Sequence, residues 1–192
     1  LAEFNSLPEV EYAEKVPLYR TFYEPSDAAF VDGSQYSLEL TQALQAFDLQ
    51  NESTETIYLA IVDDAFLYDH PDLIENVAIE KCYDVADNDA DTRPPSSGDN
   101  KAGPLTFSHG THVGGIAGAV TNNDIGMAAI SNNSVKIFGI KATKDNTDEP
   151  RNIDYSQEGV LKAIENGAKV INMSFGGAAP SQTWQNMIND AT

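Results

Sequence analysis

The uninterrupted apolar run IYLAIV, at residues 57–62, is followed directly by Asp63 and Asp64. A run of this length, rich in β-branched and aromatic residues, is typical of a strand buried on both faces of a parallel sheet. Two further apolar runs, at residues 135–140 and 170–175, have the same character. Helical patterns separate the three runs, and this alternation predicts an α/β fold with a parallel sheet.

Three segments between and after these runs are predicted to be helical. Residues 110–120, GTHVGGIAGAV, combine glycine and alanine with valine and isoleucine, which indicates a helix that other backbone segments approach closely. Residues 154–157 form a plausible capping box that opens a helix ending at Gly167. Residues 180–190 begin a last helix with Ser181 as a candidate cap.

The remaining segments are irregular in pattern. Residues 1–25 contain three prolines and are predicted to form an extended arm, whereas residues 37–48 favour a short helix or an arm packed on the domain. Residues 86–107 form a long loop rich in Asp, Pro, Ser and Gly, of a length that is usually functional. Because a parallel sheet calls for another strand after Thr192, we expect the domain, here residues 26–192, to continue beyond this chain.

Composition excludes several classes of protein. The 192 residues include 11 Lys and Arg and 30 Asp and Glu, for a net charge of −19, so binding to nucleic acid or to an anionic membrane surface is not expected. Apolar residues make up 41%, enough for a globular core. No basic-then-apolar targeting segment begins at Leu1. The single cysteine, Cys82, excludes an intrachain disulfide and is interpreted as a small buried apolar residue.

The acidic excess has two interpretations: a solvated surface, or carboxylates that bind Ca²⁺. Between Tyr83 and Asn100 only Arg93 opposes five acids. Residues 87–91 begin like an EF-hand loop, but Thr92 and Gly98 occupy the positions that need Gly and Glu. An EF-hand is therefore excluded, and another kind of calcium loop is left open.

Two of the three histidines, His109 and His112, lie at the start of the predicted helix 110–120. The positive end of a helix dipole disfavours a protonated imidazole, which predicts that His109 accepts a proton near neutral pH. Asp63 follows a buried strand, where open α/β sheets place functional groups, and a carboxylate there can fix the tautomer of a histidine. The alternatives are a purely structural Asp63, or a metal site made by His109 and His112.

These residues resemble the subtilisin-like serine proteases, or subtilases. Four motifs stand in the order and spacing of that family, at residues 58–63 with 70–73, 109–115, 122–126 and 170–177. The likeness covers residues 26–192 and is greatest to thermitase-type members, through residues 26–30, 35–36 and 45–48. It implies a subtilisin-like α/β fold that is incomplete in this chain.

The resemblance also assigns roles. Asp63 would be the aspartate of the catalytic triad and His109 the general base. The substrate peptide would be bound as an added strand by the backbone of Ser174, Phe175 and Gly176. Ser174 is not interpreted as the nucleophile.

Two positions depart from the family's pattern. Asp64 stands where Ser or Thr is more usual, so a second acid is expected to perturb the pKa of the first, and Ala65 replaces a usual Gly. The family's serine motif and its oxyanion asparagine belong after Thr192. The resemblance therefore implies a missing segment or a second polypeptide that carries the serine, and no peptidase activity from this chain alone.

The resemblance further implies calcium binding. One site would use the side chains of Asp27, Asp72 and Asn123 and the backbone carbonyls of Val120, Ile125 and Met127. A second, weaker site would use Asp84, Asp89 and Asp91, with a solvated acidic loop as the alternative.

The sequence thus predicts the N-terminal portion of a secreted, calcium-dependent subtilisin-like endopeptidase that acts on peptides or proteins. The alternative function is a non-catalytic calcium-binding or interaction module on the same fold. Residues 1–16 resemble the tail of a subtilase propeptide, or are an ordinary extended arm.

Overall fold

A computed structural model describes residues 1–16, 23–50, 55–96, 104–177 and 181–190. The described elements are α1 (Ala2–Asn5), α2 (Ala28–Val31), α3 (Ser37–Leu40), α4 (Ala43–Leu49), β1 (Ile57–Asp63), β2 (Tyr83–Asp84), α5 (His109–Gly118), β3 (Val135–Lys141), α6 (Ser156–Glu165), β4 (Val170–Asn172) and α7 (Gln182–Asp190). Among them, no helix has both the length and the apolar character needed to cross a bilayer.

The four strands of the described residues form one parallel sheet in the order β2-β3-β1-β4. The predicted α/β class with a parallel sheet is confirmed. Strand β4 ends at Asn172, three residues earlier than predicted, and β2 was not predicted because a two-residue strand has no periodicity. The register places Asp63 beside Lys141 at the carboxyl ends of β1 and β3.

The sheet is covered on both faces. Side chains alternate along a strand, so Ile137 and Asp63 face one side while Val62 and Ile140 face the other. Helix α5 lies against the first side, where Gly118 approaches Ile137, and α6 lies against the second, where Gly159 approaches Val62. The apolar core between these layers includes fully buried Ile61, Val62, Ile137, Phe138 and Ile140.

Caps were predicted at the N-termini of α6 and α7. Helix α6 spans the predicted residues, but the capping-box prediction is wrong: the N-cap residue is Tyr155, and its side chain makes no capping hydrogen bond. At α7 the prediction holds, because Ser181 Oγ accepts the N–H of Trp184 at 3.3 Å.

The N-terminal segment is more structured than predicted. Residues 1–16 contain α1 and are closed by a hydrogen bond from the Asn5 side chain to the Ala13 carbonyl at 2.9 Å, so a wholly extended arm is wrong for this part. Residues 17–22 of the predicted arm lie outside the described residues. Helices α3 and α4 pack around a second small core of Leu38, Ala43, Phe47 and Ala128.

Candidate active site

Asp63 and His109 meet where β1 ends and α5 begins. Their Oδ1 and Nδ1 atoms are 2.8 Å apart. Asp63 is only 1% exposed, whereas the His109 side chain is 55% exposed. The carboxylate therefore fixes one ring nitrogen from inside the protein, and the ring itself remains accessible to a reactant from the solvent side.

The surroundings of His109 favour its protonated form. The hydrogen bond to Asp63 raises the pKa of the imidazole, and the charges of Asp63 and Asp64 act in the same direction, against partial burial. The prediction that the helix N-terminus would disfavour protonation is wrong in its net direction. The carboxylates of Asp63 and Asp64 raise the pKa of the ring.

Asp64 binds the start of α5 through backbone N–H groups. Its Oδ1 accepts from Ala65 at 2.6 Å and from Gly110 at 2.8 Å, and its Oδ2 accepts from His109 at 3.3 Å. Burial raises the pKa of Asp64 to about 6, with a further rise from the charge of Asp63, while these N–H donors lower it. The perturbed pKa is therefore that of Asp64 itself, and burial is its largest cause.

Glycine allows α5 to approach β1 closely. A Cβ added at Gly110 would lie 2.3 Å from the Ala65 carbonyl oxygen and 2.6 Å from Asp63 Cβ. Backbone and Cβ atoms cannot be moved aside by a rotamer change. The distance between Asp63 and His109 thus depends on glycine at position 110, as expected for a helix of small residues.

We expect Gly110→Ala to separate α5 from the end of β1. Any reaction that uses the Asp63–His109 pair should slow about 100-fold in kcat, because a displacement of about 1 Å at a reacting group has that effect. The free energy of unfolding should fall by about 1–3 kcal/mol. Gly115→Ala is the matched control, since its added Cβ meets only the flexible end of Met127. Equal kcat values for the two variants would contradict this interpretation.

A cleft of about 580 Å³ opens in front of His109. It is lined by Asp63, Asp64, Thr106, Ser108, His109, Arg151, Ile153, Ser174, Phe175 and Gly176. The structure thus brings the predicted substrate-binding residues to the same cleft as the Asp–His pair. The hydroxyl of Ser174 donates to Asn172 Oδ1 at 2.8 Å.

A neighbouring pocket of about 570 Å³ extends this cleft. It shares Arg151, Ile153, Phe175 and Gly176 with the first cleft and adds Met173 and Trp184. Sequence reasoning missed Arg151, Ile153 and Trp184. The loop before α6 contains no motif. The one signal in the sequence was that this loop follows β3 and so lies at the carboxyl edge of the sheet, where functional residues are common.

A larger cavity, of about 820 Å³, is lined in part by His70, His112 and Met127, and it shares Ser108 with the cleft in front of His109. Volume alone would select this cavity, but neither Asp63 nor His109 lines it, and the chemistry places the active site in the smaller cleft. Among the described residues, no converging set of three metal-ligating side chains includes a histidine. The alternative of a histidine metal site therefore has no structural support there.

Hydrogen bonds link five of the six residues of the first predicted calcium site, and the sixth, Asp27, bonds to the adjacent Asn122. Buried Asp27 accepts the N–H of Asn122 through Oδ2 at 2.8 Å, and its buried Oδ1 has no hydrogen-bond partner among the described residues. Asp72 is 4% exposed and contacts three of the other residues. Its carboxylate accepts from Asn123 Nδ2 and Met127 N, and its backbone carbonyl accepts from Val120 N, each at 2.8 Å. Ile125 N donates to Asn123 Oδ1 at 3.1 Å.

The unpartnered oxygen of Asp27 fits a calcium ligand. A buried carboxylate oxygen without a donor is costly unless a cation or another donor satisfies it. Carboxylate, amide and carbonyl oxygens from several segments are the ligands that Ca²⁺ prefers.

The second predicted set, Asp84, Asp89 and Asp91, does not converge. Asp91 lies on the surface and binds Arg93 through both carboxylate oxygens, at 2.8 and 2.6 Å. In the described part of the chain, the carboxylates that do converge belong to Asp84, Asp87 and Asp145.

This acidic trio surrounds the ammonium of Lys141, which is fully buried. Lys141 Nζ forms ion pairs with Asp84, with Asp145 at 2.6 Å and with Asp87 at 3.6 Å. Burial opposes the charge of Lys141, but the hydrogen bonds to Asp145 and Asp84 outweigh it and raise the pKa of the ammonium. A protein cation thus already neutralises part of this cluster.

Cys82 agrees with its predicted role. It is 5% exposed, its Sγ accepts the N–H of Gly139 at 3.4 Å, and burial raises the pKa of the thiol to about 11. Such a thiol is a poor nucleophile.

Known proteins match this fold and site. The sequence model of the Subtilase family matches residues 54–192. A thermophilic serine proteinase from Bacillus sp. (strain AK1) is 34% identical over 188 residues, which cover 97% of this chain and 42% of that protein. Thermitase from Thermoactinomyces vulgaris is 34% identical over 169 residues, covering 88% of this chain and 54% of thermitase.

A solved protease of Pseudoalteromonas arctica PAMC 21717 has a TM-score of 0.66 and 28% identity, over 88% of this chain and 56% of that one. The chain therefore spans about half the length of these relatives. On this evidence the chain belongs to the subtilase family of subtilisin-like serine proteases.

Proposed function

We propose that this chain is the N-terminal portion of the catalytic domain of a secreted, calcium-dependent subtilisin-like endopeptidase. The observation that carries the proposal is the 2.8 Å contact between buried Asp63 and exposed His109 in a cleft that Ser174, Phe175 and Gly176 also line. The nucleophilic serine and the oxyanion asparagine would come from a segment outside this chain, on the same or a second polypeptide.

In this reaction His109 is the general base. Its Nε2 atom removes the proton from the serine hydroxyl and later donates that proton to the leaving amine. Asp63 accepts the Nδ1–H, which holds the ring in the correct tautomer and stabilises the imidazolium that forms. The raised pKa of His109 is consistent with this stabilised cation.

The open edge of the sheet supports a missing segment. Strand β4 is at the edge and pairs only with β1 among the described strands, and Val170 is 49% exposed. An unpaired apolar edge promotes aggregation unless another strand or element covers it. A strand of the completed domain would cover it.

Serine labelling tests the proposal. The native protein should react with a fluorophosphonate, and intact-mass analysis should find the label on a segment that accompanies this chain. Peptide hydrolysis should disappear on labelling. Absence of both label and hydrolysis in the complete protein would overturn the proposal, and a full-length sequence without the serine would favour the non-catalytic module.

Calcium is proposed to join the N-terminal segment to the domain at Asp27, Asp72 and Asn123, together with the carbonyls of Val120, Ile125 and Met127. The unpartnered Oδ1 of Asp27 supports this proposal. The metal would stabilise the fold by binding only the native state. The second set, Asp84, Asp89 and Asp91, is not proposed as a calcium site, because its carboxylates do not converge.

We expect a chelator to lower the melting temperature of the protein and added Ca²⁺ to restore it. At a calcium concentration about 100 times Kd, the linkage contributes about 2.7 kcal/mol to the free energy of unfolding. Asp27→Asn should lose most of this dependence, whereas Glu24→Gln, an exposed acid of the same segment, should keep it. Identical melting of the unsubstituted protein with and without the chelator would contradict a calcium role.

A further inference from the structure

The start of α5 is capped from a neighbouring segment. The N-cap residue Ser108 does not cap the helix with its side chain. The first N–H groups of a helix have no partner within the helix, and Asp64 accepts two of them, from His109 and Gly110. The carboxylate that caps α5 thus comes from the residue after β1.

His109 is consequently held at two points by two successive residues. Asp63 Oδ1 contacts the His109 ring, and Asp64 Oδ2 accepts the backbone N–H of the same residue. Asp64 is 3% exposed, so its orientation is fixed by these contacts and not by solvent. The Ala65 N–H also donates to Asp64, which ties the turn after β1 to the first turn of α5.

The charge of Asp64 depends on the groups around it and acts on His109. The positive end of α5 stabilises the anionic form of Asp64, while burial and the adjacent Asp63 oppose it. The other charged groups that line the same cleft are His109 and Arg151. The negative charge of Asp64 in turn favours the imidazolium of His109.

We propose that Asp64 is a positioning residue for His109: its buried carboxylate fixes the backbone of the general base, and its charge supports the protonated ring. This inference rests on the proposed function, because it assigns Asp64 a part in the proton transfer of His109. A residue that only stabilised the turn at Ala65 would not affect the ionisation of the histidine.

Two substitutions separate these roles in the complete protein. Asp64→Asn removes the charge and keeps only one of the two acceptor oxygens, so the pKa of His109, followed by NMR, should fall. The acid limb of the kcat/KM profile should then move to lower pH, and kcat should fall less than in Asp64→Ala. Asp64→Ala removes the acceptor, so kcat should fall about 10- to 100-fold with KM little changed, and the amides of His109 and Gly110 should exchange faster.

Glu158→Gln is the matched control, since it removes one exposed acid from the first turn of α6. The inference is overturned if Asp64→Asn leaves the pKa of His109 at the value found in the control. Should Asp64→Ala fail to fold, the Asp64→Asn result decides. An unsubstituted protein without hydrolysis would refute the proposed function, while the titration of His109 would still decide the role of Asp64.

Discussion

Asp63→Asn should lower kcat of the complete protease about 10⁴-fold while leaving KM almost unchanged. In the structure Asp63 Oδ1 lies 2.8 Å from His109 Nδ1 and is also close to the Asp64 N–H, which donates to it at 2.8 Å. The asparagine side chain is uncharged, so it cannot stabilise the imidazolium even when its oxygen still accepts the Asp64 N–H. If its amide N–H faces Nδ1 instead, it selects the wrong tautomer of the histidine.

Steady-state kinetics on a peptide substrate measures this effect. Asp69→Asn is the control, because Asp69 is a surface acid whose contact with Arg93 is 3.8 Å long. A loss of less than tenfold in Asp63→Asn, at the pH optimum of each protein, would refute a catalytic role for the pair. Circular dichroism of both variants excludes misfolding as the cause.

Lys141→Met should lower the free energy of unfolding by about 3–5 kcal/mol, since removing one partner of a buried ion pair leaves an uncompensated charge. Asp84 is 1% exposed and has Lys141 as its cationic partner. Methionine fills a similar volume but supplies no hydrogen-bond donor. The neighbouring acids Asp87 and Asp145 would then repel Asp84 without the ammonium between them.

Urea denaturation of the complete protein measures the loss. Lys144→Met is the matched control: Lys144 is 46% exposed on its side chain, and it contacts Asp87 at 3.2 Å. An exposed pair of this kind contributes about 1 kcal/mol or less. Similar stabilities of the two variants would show that the buried cluster is not a structural requirement.

Local pattern was enough to predict the elements that bring Asp63 and His109 together. The apolar runs at 57–62 and 135–140 became β1 and β3, and the small residues of 110–120 became α5, because each pattern lies within one element. The same patterns placed Asp63 at the end of a strand and His109 at the start of a helix, but they left a structural Asp63 and a histidine metal site open. The resemblance to the subtilases singled out the pair.

Contacts between distant segments could not be predicted from the sequence. Lys141 ends an apolar run, and nothing in that run indicates that acids from positions 84, 87 and 145 surround its ammonium. The same limit applies to Arg151 and Trp184, which join the cleft only through the packing of loops. The direction of the pKa shift of His109 also depended on its distances to Asp63 and Asp64, which the spacing of residues in the sequence does not give.

The contacts of the N-terminal segment with the loop between α5 and β3 have a consequence for folding kinetics. Ser26 N donates to Asn122 Oδ1, 96 positions away, and the Gln35 side chain bonds to Ala128, 93 positions away. Closing so long a loop costs entropy before the contacts repay it, so such contacts form late in folding. This segment is accordingly expected to detach first when the native protein opens, and calcium bound there would slow that first opening.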